Sequence, residues 1–172
     1  ETWLDDSVIN PSLVGYTLIS RKDRSDGPIG GDIVLFALND FAARVVHIGN
    51  SSCCERSWHL LHSDLGPVAV ALWYRPPAYG EVESVNTLTQ EIDSFGGLAI
   101  GRIVLGDMNV HNTDWLAYSS STSPEGRALK KVADSSGLQE CVRKPTRGAY
   151  LLDLVLSDVP DVIDSSAVLG VS

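Results

Sequence analysis

Val68-Ala-Val-Ala-Leu-Trp-Tyr74 is an uninterrupted apolar run, closed by Arg75-Pro76-Pro77. So short a run without alternation reads as a strand buried on both faces, and neither proline can donate to a ladder. Strand signals continue toward the N-terminus. Arg56–His62 alternates, and Val14–Ser20 and Ile33–Leu38 are β-rich runs separated by the polar, glycine-rich stretch from Arg21 to Gly31. Ala43–Ile48 follows the turn-prone pair Asn39-Asp40, so Ile33–Leu38 and Ala43–Ile48 are expected to pair as a hairpin. Toward the C-terminus the period changes. Val82, Val85, Leu88, Ile92 and Phe95 recur at three- and four-residue steps, the spacing of one helix face, ended by Gly96-Gly97.

A further apolar run, Ile103-Val104-Leu105, leads into Gly106-Asp107-Met108-Asn109. A second helix is expected from Ser123 as N-cap, with Pro124 at the first helical position, to near Gly137. Tyr150–Ser157 and Val162–Leu169 read as two late strands. Strands outnumber helices, and the natural packing is a two-sheet α/β core with helices outside.

Composition bounds the function classes. The 172 residues suit one domain, and 44% hydrophobic with 20% charged is ordinary for a globular chain, so disordered and fibrous readings fall away. The net charge of −9 argues against a general electrostatic nucleic-acid binder. It leaves room for an enzyme whose carboxylates hold a metal near phosphate. Cys53 and Cys54 are adjacent and Cys141 stands alone, so no C-x-x-C spacing exists and reduced thiols in an intracellular setting are expected. No apolar run reaches membrane-spanning length. The chain begins at Glu1 and stops at Ser172 in mid-pattern, which reads as a piece of something longer.

Chemistry concentrates in a few places. In GDMN, Asp107 and Asn109 stand two residues apart at a strand end and share a face, where one can position a water and the other a phosphoryl oxygen; the same residues also make an ordinary turn. Asp153, flanked by Leu151, Leu152, Leu154 and Val155, either faces water or is held by a partner. His47, His59 and His62 lie in strand-like runs and read as surface or satisfied core residues. His111, two residues past Asn109, can approach the same cleft, but no zinc-ligand spacing surrounds it. Basic residues are uneven. Arg127, Lys130, Lys131, Arg143, Lys144 and Arg147 oppose only Asp134 and Glu140, a local charge of +4, and Arg143 to Arg147 is the better candidate for phosphate-backbone contact.

In order, ETWL, RSWHLLH, WYRPP, GDMN with Trp115, KPTR, LDLVLSD and a terminal VS resemble the endonuclease/exonuclease/phosphatase superfamily. The chain is most similar there to the endonuclease domain of non-LTR (LINE-type) retrotransposons. The resemblance spans essentially the whole chain. It implies a DNase I-like four-layer α/β/β/α sandwich of two mixed sheets. It also implies a Mg²⁺-dependent phosphodiesterase, Mn²⁺ being the alternative ion, that nicks DNA and exposes a 3′-hydroxyl to prime reverse transcription.

By the same resemblance Glu1 is the metal ligand, Tyr74 holds the scissile phosphate, Asp107 orients or deprotonates the attacking water, and Asn109 binds phosphate. Asp153 and Thr146 fit later polar positions lining the site, Arg75 and Arg147 flank the matching motifs as substrate contacts, and Ser172 opens the family's closing Ser-Asp-His. The expected partners are DNA and the reverse transcriptase domain of the same polyprotein, with no membrane; the expected form is a monomeric domain, acting in the nucleus on chromosomal DNA. One domain over residues 1–172 is expected, lacking the family's first strand, with its asparagine, and the closing Asp-His, so that this piece is catalytically impaired. Two alternatives stay open: a non-catalytic remnant that binds a partner, and a hydrolase of another phosphate ester.

Overall fold

The computed structural model describes residues 4, 8, 10–24, 31–97 and 99–162. The VAVALWY run lies in β5 (Gly66–Tyr74), inside a six-stranded mixed sheet. Its order is β3 (Val45–Asn50), β4 (Glu55–Ser63), β5, β6 (Gly101–Asp107), β8 (Asp153–Ser157) and β7 (Gln139–Glu140). β5 and β6 are parallel and the other neighbours antiparallel. A parallel step needs a crossover, and α2 (Glu83–Gly96) supplies it.

Burial on both faces is clearest in β4, where Arg56, Ser57, Trp58 and His59 are all buried in succession. Arg56 and Trp58 face α2, and both donate to Glu91 Oε2, at 2.7 and 2.6 Å. The Arg56 guanidinium also lies 4.5 Å over the Trp73 ring. His59 faces the other way, toward a second sheet, with its Nε2 2.7 Å from Ser20 Oγ. That sheet is the antiparallel pair of β1 (Tyr16–Lys22) and β2 (Ile33–Leu38). The described residues thus stack as helices, large sheet and small sheet.

Ile33–Leu38 does not form a hairpin with Ala43–Ile48. β2 pairs with β1, and β3 pairs with β4. Asn39–Ala42 coils into the single helical turn α1 instead of a two-residue β-turn, and so carries the chain from the small sheet to the large one. Asn39 is tied to β1, donating its N–H to the Gly15 carbonyl at 3.1 Å and accepting from the Thr17 hydroxyl at 2.9 Å.

The helix signals are met. In α3 (Pro124–Ser136) the Ser123 side chain accepts from the Gly126 N–H at 3.1 Å, and Gly137 ends the helix at φ +70°. Val85, Leu88 and Ile92 of α2 join Leu129 and Val132 of α3 in the core over β5 and β6. The strand expected from Tyr150 begins only at Asp153, because Tyr150 bridges back to Arg147. The strand expected at Val162–Leu169 falls outside the described residues apart from Val162, which ends a 3₁₀ turn at Pro160–Val162. Cys53, Cys54 and Cys141 are free thiols. No helix among the described residues is long and apolar enough to cross a membrane.

Candidate active site

Parallel pairing of β5 with β6 brings the ends of both strands to one edge of the sheet, where antiparallel β8 begins. Leu72 pairs with Leu105, so by the pleat Tyr74 and Asp107, two residues on in each strand, project from the same face. Asp153 is the register partner of Asp107 and joins them. That face is the one turned toward the small sheet.

Gly106 makes the approach possible. It sits at φ +143°, and a Cβ there would lie 1.8 Å from the Trp73 carbonyl oxygen. Just past it the Arg75 N–H donates to the Asp107 carbonyl at 2.8 Å, which locks the two strand ends together.

Asp107 is buried, with Oδ1 lacking any hydrogen-bond partner among the described residues and Oδ2 3.5 Å from Arg147 Nη2. Burial and then the Asp153 charge raise its pKa above the ordinary carboxylate value, outweighing Arg147 and Asn109, which pull it down. Asp153 itself is exposed. Asn109 takes a left-handed conformation, φ +46°, which asparagine tolerates better than most residues. Its Nδ2 donates to the Arg75 carbonyl at 2.9 Å, and the His111 carbonyl two residues on accepts from the Ser123 N–H at 3.0 Å. The loop after β6 is therefore braced from both sides.

Thr146 anchors the other side. Its Oγ1 accepts from the N–H groups of Leu152 and Asp153, both at 3.0 Å, so it fixes the start of β8 and with it Asp153. Both acceptor positions of that hydroxyl are taken, leaving the O–H as what it can offer a ligand. Arg147 follows at the tip of a tight hairpin and reaches back to Asp107. Tyr74 is buried, its ring so close over Gly31 that a Cβ there would meet Cε1 at 2.6 Å.

Arg75 corrects an expectation. Its side chain is 1% exposed and committed inward: Nη2 donates to the carbonyls of Ala78 and Glu81, both at 2.7 Å, and Nε lies 3.2 Å from Glu81 Oε2. With no face left for substrate, it shapes the loop between β5 and α2 and, through Nη1 to the Asn109 carbonyl at 3.4 Å, steadies Asn109. Glu1 and Ser172 lie outside the described residues. His111 packs edge-on to Tyr150 at 5.5 Å, with Nδ1 buried and unpartnered among the described residues.

Sequence reasoning missed the braces. Glu81 holds Arg75, and the buried Glu125 accepts from the Gly80 N–H at 3.1 Å, tying the same loop to α3. A carboxylate on the inward face of a helix start was the available signal. Two cavities among the described residues do not include the carboxylate pair: one of about 400 Å³ lined by Lys22, Arg24, Glu55, Arg75 and Glu81, and one of about 550 Å³ along Arg127, Lys130 and Lys131 of α3. The carboxylate pair itself sits at the shared end of β6 and β8.

Among the described residues no three His, Cys, Asp or Glu side chains converge as a metal cage. The donors present are nevertheless hard oxygens, one of them the orphaned Oδ1 of Asp107 beside Asp153. They fit an ion such as Mg²⁺, which takes one or two carboxylates and keeps several waters.

No family model matches the chain, and no curated protein matches it. Among solved structures it is similar to the endonuclease domain of TRAS1, a telomere-specific non-LTR retrotransposon, at 18% identity and TM-score 0.66. The match covers 88% of this chain and 72% of that one. At this identity the likeness is one of fold. The chain has the α/β, DNase I-like architecture of a retrotransposon endonuclease domain, the fold that its motifs led us to expect.

Proposed function

We propose that this chain is a metal-dependent phosphodiesterase, the DNA-nicking endonuclease domain of a retrotransposon polyprotein. The observation that best supports this reading is the Asp107–Asp153 pair at the shared end of β6 and β8, with Asn109 and Arg147 beside it, on a fold of this kind. Asp107 holds a water and takes its proton as the water oxygen bonds to phosphorus, and its raised pKa makes it a stronger base than an exposed aspartate. The P–O3′ bond breaks in line, the electron pair leaves with O3′, and O3′ takes a proton from solvent, giving a 5′-phosphate and a 3′-hydroxyl. Asn109, Tyr74, the Thr146 hydroxyl and Arg147 are the donors for the phosphate oxygens. When bound, Mg²⁺ or Mn²⁺ would be held by Asp153 together with Glu1, the ligand that the resemblance implies, and would supply stabilisation of charge on the phosphoryl group. The 3′-hydroxyl primes the reverse transcriptase domain of the same polyprotein, which places the activity on chromosomal DNA in the nucleus, and the domain acts as a monomer.

The test is relaxation of supercoiled plasmid in Mg²⁺ and in Mn²⁺, with chelator as control. The chain is assayed alone and with its natural flanking residues, each with and without Asp107→Ala. Nicking that Asp107→Ala abolishes supports the proposal. A folded, flanked protein that leaves plasmid intact with either metal overturns it, and cleavage of inositol phosphates in place of plasmid would move the substrate to another phosphate ester.

A further inference from the structure

We infer that Arg147 is a detachable counter-ion: it engages Asp107 in the free protein and passes to the phosphodiester when DNA binds, leaving Asp107 free to hold the attacking water. This rests on the endonuclease reading above and adds to it how the site is switched by its own substrate.

The contact is built to be exchanged. At 3.5 Å, Arg147 Nη2 to Asp107 Oδ2 is too long for a good hydrogen bond. The arginine side chain is 63% exposed while the aspartate is 7% exposed, so one partner is fixed and the other is free to swing. The pivot is rigid. Arg147 and Tyr150 exchange backbone hydrogen bonds at 3.0 Å each way around Gly148-Ala149, and Gly148 takes the φ of +59° that the turn requires. Thr146, one residue earlier, is bound to the start of β8 by two further hydrogen bonds. Movement is thereby confined to the side chain.

The rival acceptor wins on geometry. A phosphodiester offers two non-bridging oxygens that a guanidinium takes in parallel, against one long contact to Asp107. Asp107 is buried, so the release of its counter-ion carries a cost, which the two charge-assisted hydrogen bonds to phosphate offset. Once Arg147 has moved, Asp107 Oδ2, the oxygen that it engaged, is released at the strand end.

A double-substitution cycle on binding tests this, read by fluorescence anisotropy with a nuclease-resistant phosphorothioate duplex at low salt and without metal. Asp107→Asn removes the competitor, so with Arg147 present it should tighten binding by about two- to five-fold. In the Arg147→Gln background the same substitution should give less than half that gain, and Arg147→Lys should restore part of it. Equal gains in both backgrounds overturn the hand-over while leaving the endonuclease reading intact. If the folded wild-type chain binds no DNA, the endonuclease reading falls and the hand-over falls with it.

Discussion

Acid should loosen the contact between the two sheets through His59. The side chain is 1% exposed, between β4 and β1, with Nε2 against Ser20 Oγ at 2.7 Å and Nδ1 lacking a hydrogen-bond partner among the described residues. Burial, and then the His47 ring at a centroid distance of 5.2 Å, lower its pKa from 6.5 to about 4, against a backbone contact with Val70 that opposes the shift. The neutral ring is thus the form the fold accepts. Stability is fully present above the unfolded value and is lost as pH falls, because the unfolded chain takes up a proton that the native chain refuses until about pH 4. At about 1.4 kcal/mol per pH unit the whole window is worth about 3 kcal/mol, of which about 2 kcal/mol is gone by pH 5. Urea unfolding at about pH 7.5 and pH 5, comparing wild type with His59→Gln, isolates this loss, since other titrating groups are common to both. Wild type should lose about 2 kcal/mol more than the variant. Equal losses would refute the assignment of this acid sensitivity to His59.

Gly106→Ala places a Cβ against the Trp73 carbonyl, and we expect at least about 2 kcal/mol of destabilisation, seen as a Tm lower by about 5 °C. Glu91→Leu strands the buried Arg56 guanidinium and should cost about 3–5 kcal/mol by urea titration, whereas Arg56→Met with Glu91→Leu should recover most of it. Thr146→Val removes the acceptor for two N–H groups, so hydrogen exchange at the Leu152 and Asp153 amides should quicken by at least about five-fold. DNA affinity should fall with salt at a log–log slope of only about −2 to −3, as for two or three neutralised phosphates, and a slope near −6 would mean that α3 also lies on DNA.

Local periodicity was legible throughout: the apolar run in β5, the three- and four-residue spacing in α2 and the Ser123-Pro124 start of α3 all correspond to observed elements. What the sequence left hidden was the partner of each strand. Asn39-Asp40 is turn-forming in either architecture, and only the tertiary ties of Asn39 to β1 decide that the chain leaves one sheet for the other. At the site, the two-residue spacing of Asp107 and Asn109 was informative, but the nearness of Asp107 to Asp153 comes from strand register across 46 residues and has no local signature. Arg75 misled for a related reason. The resemblance implied a substrate contact because Arg75 flanks a matching motif, yet the turn after β5 points its own carbonyls inward, and a guanidinium is what satisfies them.

An overall charge of −9 is a poor guide to whether this surface can meet a polyanion, because exposed charges act over about one Debye length of 8–10 Å. The +4 of residues 127–147 leaves −13 on the rest of the chain, but even that positive charge is not evenly available. On α3, Lys130 is paired with Asp134 at 2.8 Å and Arg127 donates to the Thr122 carbonyl at 3.1 Å. Lys131 of α3 is exposed as well, as are Arg143, Lys144 and Arg147 of the hairpin; Arg143 lies 3.6 Å from Glu140, and Arg147 reaches Asp107. A backbone drawn to that hairpin arrives beside the carboxylate pair, and the surrounding negative charge disfavours other poses as much as it lowers affinity. On the proposed endonuclease reading, a small basic hairpin at the site of an acidic protein favours placement of the backbone over general DNA affinity.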